Sequence, residues 1–196
     1  EWVELLDANG APLERISLFD AFAASEHSAW LAYRESGDLL HSNAVRPLDG
    51  ALASANEAFA DGNLLLSLRN PSALAVLDPR ARRIVWLATG SWTGQHEPSV
   101  LASGHLLLFD TGSTGMRHET QGRSRVLELD PATLAPVWSY EGSEAEPFFS
   151  ATCGAVARLA NGNTLVTETD AGRAFEIAPD GDVVWEFFTP HRAGER

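Results

Sequence analysis

The alternation of apolar runs and polar turns repeats three times along the chain. In each repeat a glycine turn precedes an apolar run, in the stretches DGNLLLSLRN at 61–70, SGHLLLFDTG at 103–112 and NGNTLVTETD at 161–170. A second apolar run and a turn follow, in ALAVLDP at 73–79, RVLELDP at 125–131 and AFEIAPDG at 174–181. Short apolar segments rich in Val, Leu and Phe, bounded by Gly, Asn and Asp-Pro turns, predict β-strands.

Each repeat also has a strand on either side of this pair. A Val-Trp strand closes it, with the tryptophans at Trp86, Trp138 and Trp185, and an apolar segment precedes each glycine turn. Four short strands per repeat predict an all-β fold, a β-propeller of four-stranded antiparallel blades. We expect the three tryptophans to be mostly buried, because large aromatic side chains anchor the packing between blades.

The positions of the repeats predict the domain organisation. Residues 1–196 are expected to form one β-propeller domain or fragment of about four blades, at roughly 45 residues per blade. The predicted parts are a partial blade at 1–22, an insertion at 23–40, and whole blades at about 41–90, 91–145 and 146–190. Helical periodicity is weak, and only the segment 18–33 could hold a helical turn.

Charge and composition exclude several classes of partner. The net charge of −13 and the lack of a basic cluster argue against nucleic acid as a partner. No apolar run is long enough to span a membrane, so no membrane insertion is expected. The single cysteine, Cys153, excludes an internal disulfide and a cysteine-based zinc site. We predict neither a metal nor a cofactor.

Two histidines open the innermost strands of successive repeats. His41 lies in DLLHSNAVRPL, and His96 lies 55 residues later in GQHEPSVLAS. Because equivalent strands of a propeller face one axis, we expect both imidazoles at the same end of the channel. Imidazole can exchange protons near neutral pH or act as a nucleophile. The alternative is that each histidine only caps a loop or satisfies a backbone carbonyl.

Several arginines lie near the same predicted channel mouth. Arg69 ends the strand LLLSLRN, and Arg117, Arg123 and Arg125 lie in or after the Gly-rich loop that follows the strand after His96. A guanidinium group binds sulfate, phosphate or carboxylate through two parallel hydrogen bonds. The alternative is that these arginines are solvated or pair with the abundant carboxylates.

Five stretches contain these features, in the order LLHSNAVRPL, LLLSLRNPSALAVLDP, IVWLATGSWTGQHEPSVLASGHLLLFDTG, GRSRVLELDP and RLANGNTLVTETDAGRAFEIAPDGDVVWEF. Together they resemble the bacterial arylsulfotransferase (ASST) family over about residues 38–190. The resemblance implies a six-bladed propeller and a periplasmic or secreted location. With about four blades, this chain would be a part of such a propeller or would form a smaller closed ring. It also implies transfer of a sulfuryl group from a phenolic sulfate ester to a phenol, without a nucleotide donor. In the family a channel histidine carries the sulfuryl group, and other His and Arg residues hold the sulfate oxygens.

Carried over by position, the resemblance assigns catalytic roles to His41, His96 and Arg117. His41 matches the histidine of an H-x-N-S stretch, His96 that of a Q-H stretch, and Arg117, or alternatively Arg125, an arginine in the following loop. Arg69 and Arg125 are predicted to bind the substrate. The expected partners are a small aryl sulfate and a phenol. Sulfuryl transfer fits such a site, since preorganised cations stabilise the charge that spreads over the sulfate oxygens.

One position departs from the family pattern. The family nucleophile should open the inner strand of the third repeat, where the sequence FFSATCGAVARL has Gly154 and no histidine. Cys153 is adjacent, and the expectation for it is a small buried residue. A non-catalytic propeller that binds an anionic ligand or a protein partner is therefore the alternative function. A quinone-dependent dehydrogenase is disfavoured, because the sequence lacks a cluster of calcium-binding carboxylates and a vicinal cysteine pair.

Overall fold

The fold is described from a computed structural model, which describes residues 1–32, 37–113 and 122–191. The chain divides into two compact units, Glu1–Thr89 and Gly90–Arg196. Each unit is built from antiparallel sheets whose strands follow one another in chain order.

The first unit contains a two-stranded hairpin, short helices and one four-stranded sheet. Its elements are β1 (Trp2–Leu6), β2 (Pro12–Ser17), α1 (Leu18–Ala23), α2 (Ser28–Ala32), β3 (Ser42–Pro47), a 3-10 helix (Glu57–Phe59), β4 (Leu64–Leu68), β5 (Ala73–Asp78) and β6 (Arg83–Thr89). The sheet has the order β3-β4-β5-β6 and is called the first sheet below. The Ser17 hydroxyl accepts a hydrogen bond from the amide of Asp20 and caps α1, so the predicted helical turn is realised as two short helices.

The second unit contains two four-stranded sheets. Its strands are β7 (His96–Val100), β8 (Leu106–Asp110), β9 (Arg125–Leu129), β10 (Pro136–Tyr140), β11 (Gly154–Arg158), β12 (Thr164–Glu168), β13 (Arg173–Ile177) and β14 (Val183–Phe188). The second sheet is β7-β8-β9-β10 and the third is β11-β12-β13-β14. The prediction of four-stranded antiparallel blades is therefore confirmed. The part of the chain that the structure describes holds three of them, together with the hairpin.

The turns follow from residues that the sequence repeats. Gly62, Gly104 and Gly162 have φ angles of 83°, 86° and 90°, which residues with a side chain rarely adopt. The carboxylates of Asp78 and Asp130 accept two backbone amides each in the next turn, at 2.8–3.1 Å. Between these turns β4 and β8 are buried along their whole length, which explains why apolar residues predominate in both.

Aromatic side chains fill the core of the second unit. Phe109 and Phe175 both pack edge-to-face on Phe148, with ring centroids 5.5 and 5.3 Å away. All three rings are almost completely buried. The second and third sheets therefore pack against a shared aromatic core, in which small changes of volume will be felt.

A polar contact joins the second and third sheets at the end where the glycine turns lie. One oxygen of Glu128 is 2.7 Å from Nδ1 of His105, and the other accepts a hydrogen bond from Arg158 at 2.6 Å. Burial raises the pKa of Glu128, but the hydrogen bonds from His105 and Arg158 outweigh burial, and the net pKa is lowered. The Arg158 guanidinium also lies over the Trp138 ring, whose indole N–H donates to the Pro179 carbonyl.

The expected burial of the Val-Trp strand tryptophans is found for two of the three and is wrong for the third. Trp86 and Trp138 are mostly covered, whereas Trp185 is 49% exposed. These residues lie on the outermost strand of each sheet. Trp138 is covered by the third sheet, whereas no described sheet follows Trp185, which stacks on Phe187. Among the described residues, no helix is both long and apolar enough to cross a membrane.

Candidate functional site

The pairing of the second and third strands gives one positional frame for all three sheets. The last residues of β4, β8 and β12 are Leu68, Asp110 and Glu168, and each pairs with the first residue of the strand that follows. These three residues therefore mark the same level, at the end of each sheet away from its glycine turn. We call this the loop end of a sheet.

Both candidate histidines lie at the loop end of their own sheet, but at different levels. His41 precedes β3, and its carbonyl accepts the amide of Arg69, one residue beyond Leu68. His96 pairs with Phe109, one residue before Asp110. The expectation that the two occupy equivalent positions is therefore wrong by two residues, or about 6–7 Å along a strand. Each inner strand contains one bulge, so the bulges cancel. The difference is hidden in the sequence because the loop between β3 and β4 spans 48–63, whereas that between β7 and β8 spans only 101–105.

His41 is held by two carboxylates. Its Nδ1 contacts Oδ2 of Asp38, and because a carboxylate only accepts, Nδ1 carries the proton. The backbone amides of His41 and Ser42 donate to the two oxygens of Glu1 at 2.8 and 2.9 Å. These bonds hold His41 in a left-handed conformation, with φ of 47°. The hydrogen bond from His41 is the main cause of the lowered pKa of Asp38, so the carboxylate stays ionised.

The Nε2 atom of His41 is therefore the reactive position of this ring. With the proton on Nδ1, Nε2 carries the lone pair, and none of the described residues forms a hydrogen bond to it. The side chain is 48% exposed, so a small molecule can reach it. A histidine whose far nitrogen is bonded to a carboxylate is oriented for nucleophilic or acid–base chemistry.

Arg69 lies beside His41 through the backbone pair described above. Its residue is 8% exposed, and Nη1 lies 3.3 Å from the side-chain oxygen of Asn70. Asn70 in turn donates to the Asp38 carbonyl at 2.6 Å. The first sheet thus brings His41, Asp38 and Arg69 together at its loop end. A direct role of Arg69 in substrate binding stays a prediction.

His96 begins β7, directly after the tight segment 90–95, and Glu97 behind it has a φ of 49°. A Cβ on Gly94 would lie 2.0 Å from the Ser113 carbonyl, so only glycine fits there. His96 itself is half-buried. Its catalytic role stays a prediction, and so does that of Arg117, which lies outside the described residues.

Arg125, predicted to bind substrate, is engaged with the protein. Its Nε and Nη2 lie 2.9 and 2.6 Å from Oδ2 of Asp110, which is fully buried. Nη2 also donates to the Ser91 carbonyl. The structure thus places Arg125 in an ion pair that joins β8, β9 and the segment before His96. Pairing with a carboxylate is the alternative to substrate binding for the arginines of this region.

The third sheet has no histidine at its loop end. Gly154 pairs with Glu168, so Cys153 lies at the level of His41, and Ala155 lies at the level of His96. A Cβ on Gly154 would lie 2.4–2.6 Å from three ring atoms of Phe109. Gly154, the position that counting from the glycine turn gave for the family nucleophile, therefore has no room for any side chain, and the positions level with His41 and His96 hold Cys153 and Ala155.

Sequence reasoning missed the carboxylates that support the two histidines. Asp38 is three residues before His41, a spacing that is common in loops and carries no specific signal. Asp110 had a better signal, because an acid ends the second strand and an arginine begins the third in two of the repeats. No group of three or more His, Cys, Asp or Glu side chains in the described ranges could hold a metal ion.

Comparisons with known proteins agree with this fold. The sequence model of the arylsulfotransferase (ASST) family matches residues 9–191. Among solved structures, the chain is similar to a protein of unknown function from Bacteroides caccae, with 14% identity and a TM-score of 0.58 over 95% of this chain and 54% of that one. It is also similar to a catalytically inactive virginiamycin B lyase from Staphylococcus aureus with quinupristin, with 8% identity and a TM-score of 0.51 over 96% and 49%.

A third solved structure, the Dos1 propeller, has 9% identity and a TM-score of 0.53 over 97% of this chain and 42% of that one. At these identities the similarity establishes the β-propeller fold alone. The chain spans about half the length of the solved structures that it matches. No curated protein is significantly similar to it in sequence.

Proposed function

Because this chain belongs to the arylsulfotransferase (ASST) family, we propose that it transfers a sulfuryl group from a phenolic sulfate ester to a phenol, with the His41 imidazole as the carrier. The observation that carries the proposal is the pairing of His41 with Asp38, which leaves Nε2 as an accessible lone pair at the loop end of the first sheet. We further propose a periplasmic or extracellular location, as the family resemblance implies.

The first step is attack of Nε2 on the sulfur atom of the donor ester. The N–S bond forms while the bond between sulfur and the aryl oxygen breaks, and the donor phenolate leaves. The imidazole becomes positively charged, and the ionised Asp38 carboxylate at Nδ1 stabilises that charge. Splitting one displacement into two in this way lowers the barrier of each.

The second step regenerates His41. The oxygen of the acceptor phenol attacks the sulfur, the N–S bond breaks, and the electron pair returns to Nε2. The proton of the acceptor phenol goes to the phenolate released in the first step, directly or through water. Donor and acceptor thus exchange a sulfuryl group for a proton, and no external cofactor is consumed.

Cationic and N–H groups near the sulfate complete the proposal. We assign His96 and Arg117 to the sulfate oxygens, as the family resemblance implies, and Arg69 to the same role because its backbone adjoins His41. Removing one such charge-assisted hydrogen bond should weaken anion binding by about 1.5–3 kcal/mol.

A second candidate is a propeller that binds an anionic ligand without turning it over. The observation that favours it is the third sheet, where Cys153 and Ala155 occupy the levels of the two histidines and Gly154 between them has no room for a side chain. In that case His41 would contribute to affinity only.

The test uses a chromogenic aryl sulfate with a phenol acceptor, followed by mass spectrometry of the protein and its peptides. We expect turnover and an adduct of one sulfuryl group on His41 in the wild type. Both should be lost in His41→Asn, whereas His96→Asn should still form the adduct, but more slowly and at higher donor concentration. His191→Asn is the control, because this exposed histidine lies after the last strand.

An adduct mapped to His96 or Cys153, or full turnover by His41→Asn, would overturn the assignment of His41. Absence of both turnover and adduct, with sulfate still raising the melting temperature of the wild type, would select the binding protein. Absence of turnover, adduct and sulfate stabilisation together would reject both functions.

A further inference from the structure

We propose that Asp110 and Thr111 are positioning residues, which fix the segment 91–94 and thereby hold His96 at the loop end of the second sheet. This inference rests on the proposed function, because it gives His96 a role in holding the sulfate. It also gives Arg125 a structural role, binding Asp110 and the Ser91 carbonyl, in place of contact with the substrate.

Asp110 gathers four donors from three parts of the second sheet. Its Oδ1 accepts the amides of Thr93 at 2.8 Å and Gly112 at 3.0 Å. Its Oδ2 accepts Nε and Nη2 of Arg125, and Nη2 also donates to the Ser91 carbonyl. The carboxylate is completely buried, so these bonds act in a medium of low dielectric and are not exchanged for bonds to water.

Thr111 holds the same segment from the other side. Its hydroxyl oxygen lies 3.0 Å from the carbonyls of both Thr93 and Gly94 and 2.6 Å from that of Ser113. One hydroxyl proton serves a single carbonyl at a time, so the three compete for it. Asp110 binds the amide of Thr93 while Thr111 binds its carbonyl, so the peptide groups on both sides of Thr93 have little freedom. The segment then leads directly through the buried Gln95 to His96.

The third sheet contains the same ion pair without a histidine. Glu168 lies at the level of Asp110, pairs with Arg173 at 3.5 Å, and accepts the amide of Phe149 at 3.0 Å. Thr169, which follows it as Thr111 follows Asp110, is exposed. The acid–arginine pair alone is therefore a feature of the repeat, and the two sheets differ at the next position, where Thr111 is buried and Thr169 is exposed.

The third sheet provides a matched control. Glu168→Gln neutralises an equivalent buried acid in the same unit. The segment that Glu168 binds, at Phe149, leads to Gly154 and not to a histidine. If Asp110 only stabilises the fold, Asp110→Asn and Glu168→Gln should lower the free energy of unfolding similarly and leave turnover per folded molecule unchanged. If Asp110 positions His96, only Asp110→Asn should lower kcat, by up to about 100-fold, the effect of a misplacement of about 1 Å.

A second pair of variants covers the risk that Asp110→Asn does not fold. Thr111→Val removes the hydroxyl at nearly constant volume, and Thr111→Ser keeps it. We expect Thr111→Val to lower kcat more than it changes KM, and Thr111→Ser to restore most of the loss. Equal activity of the valine and serine variants would overturn the role of Thr111.

A readout independent of turnover separates this inference from the proposed function. The imidazole signals of His96 can be followed by nuclear magnetic resonance during titration with inorganic sulfate. Thr111→Val and Asp110→Asn should broaden or shift the His96 signals and weaken their response to sulfate, whereas Glu168→Gln should not. If the wild type shows no turnover but this pattern holds, the proposed transfer fails and the positioning role stands. If the His96 signals are unchanged in Thr111→Val, the positioning role fails whatever the turnover.

Discussion

Replacing Gly154 by alanine should destabilise the protein through a steric clash alone. The φ angle of Gly154 lies outside the left-handed region, so alanine adds no backbone strain there. Its Cβ would lie 2.4–2.6 Å from three atoms of the Phe109 ring. The ring must move by about 1 Å to restore an ordinary carbon–carbon contact of about 3.5 Å. Phe148 already packs edge-to-face on that ring at 5.5 Å and opposes the movement.

Overpacking of this kind costs about 1–3 kcal/mol, and we expect Gly154→Ala to lower the free energy of unfolding by that amount. Urea titration followed by tryptophan fluorescence measures it. In a Phe109→Leu background the smaller side chain leaves space for the methyl group, so the second substitution should cost much less than it does alone. Equal costs in both backgrounds, or a neutral Gly154→Ala, would refute the argument that Phe109 excludes a side chain from position 154.

Three other substitutions test further contacts. Asp38→Asn should lower aryl sulfate turnover about 100-fold or more, measured with the chromogenic donor at saturation. His41 then loses the carboxylate that orients its ring and stabilises the positive charge that the ring gains in the first step. Glu128→Gln should lower the free energy of unfolding by about 1.5–3 kcal/mol at neutral pH. Since the folded-state pKa of Glu128 lies below the unfolded value of 4.5, this difference should be present above pH 4.5 and vanish as the pH falls through the lower folded value in urea titrations. Trp138→Phe should cost about 1 kcal/mol in the same assay, because it removes the hydrogen bond to the Pro179 carbonyl, and a neutral result would show that the bond contributes nothing.

The sequence predicted the strands well because each one is signalled locally. Apolar runs such as LLLSL and LLLFD are bounded by glycines at positive φ and by aspartates that cap the following turn, and these signals act within a few residues. The four-stranded sheets and the placement of His41 and His96 at loop ends follow from the same repeats. None of this needed information about contacts between distant parts of the chain.

The levels of the two histidines could not be predicted from residue counts. The loop between β3 and β4 spans 48–63, whereas that between β7 and β8 spans only 101–105, and each inner strand also contains a bulge. One extra residue lies in β3 between Ser42 and Ala44, and another in β7 between His96 and Ser99. Counting residues from the glycine turns cannot reveal where such an extra residue falls, and one residue of slip changes the face to which a side chain points. The partners of Arg125 were likewise hidden, because Asp110 is 15 residues away in sequence and adjacent only across the sheet.

The two histidines are supported by different means, and this difference bears on how a repeated fold acquires a single site. His96 depends on an acid, Asp110, that occupies a repeated level, and the third sheet keeps the same device at Glu168. The first sheet has Leu68 at that level, with no carboxylate, and there Asp38 and Glu1 lie outside the repeated strands. The strands repeat because the core demands the same packing each time, whereas the loop ends are free to differ. Chemistry that needs unlike side chains around one substrate must therefore be built at the loop ends, and substitutions there should change activity more than stability.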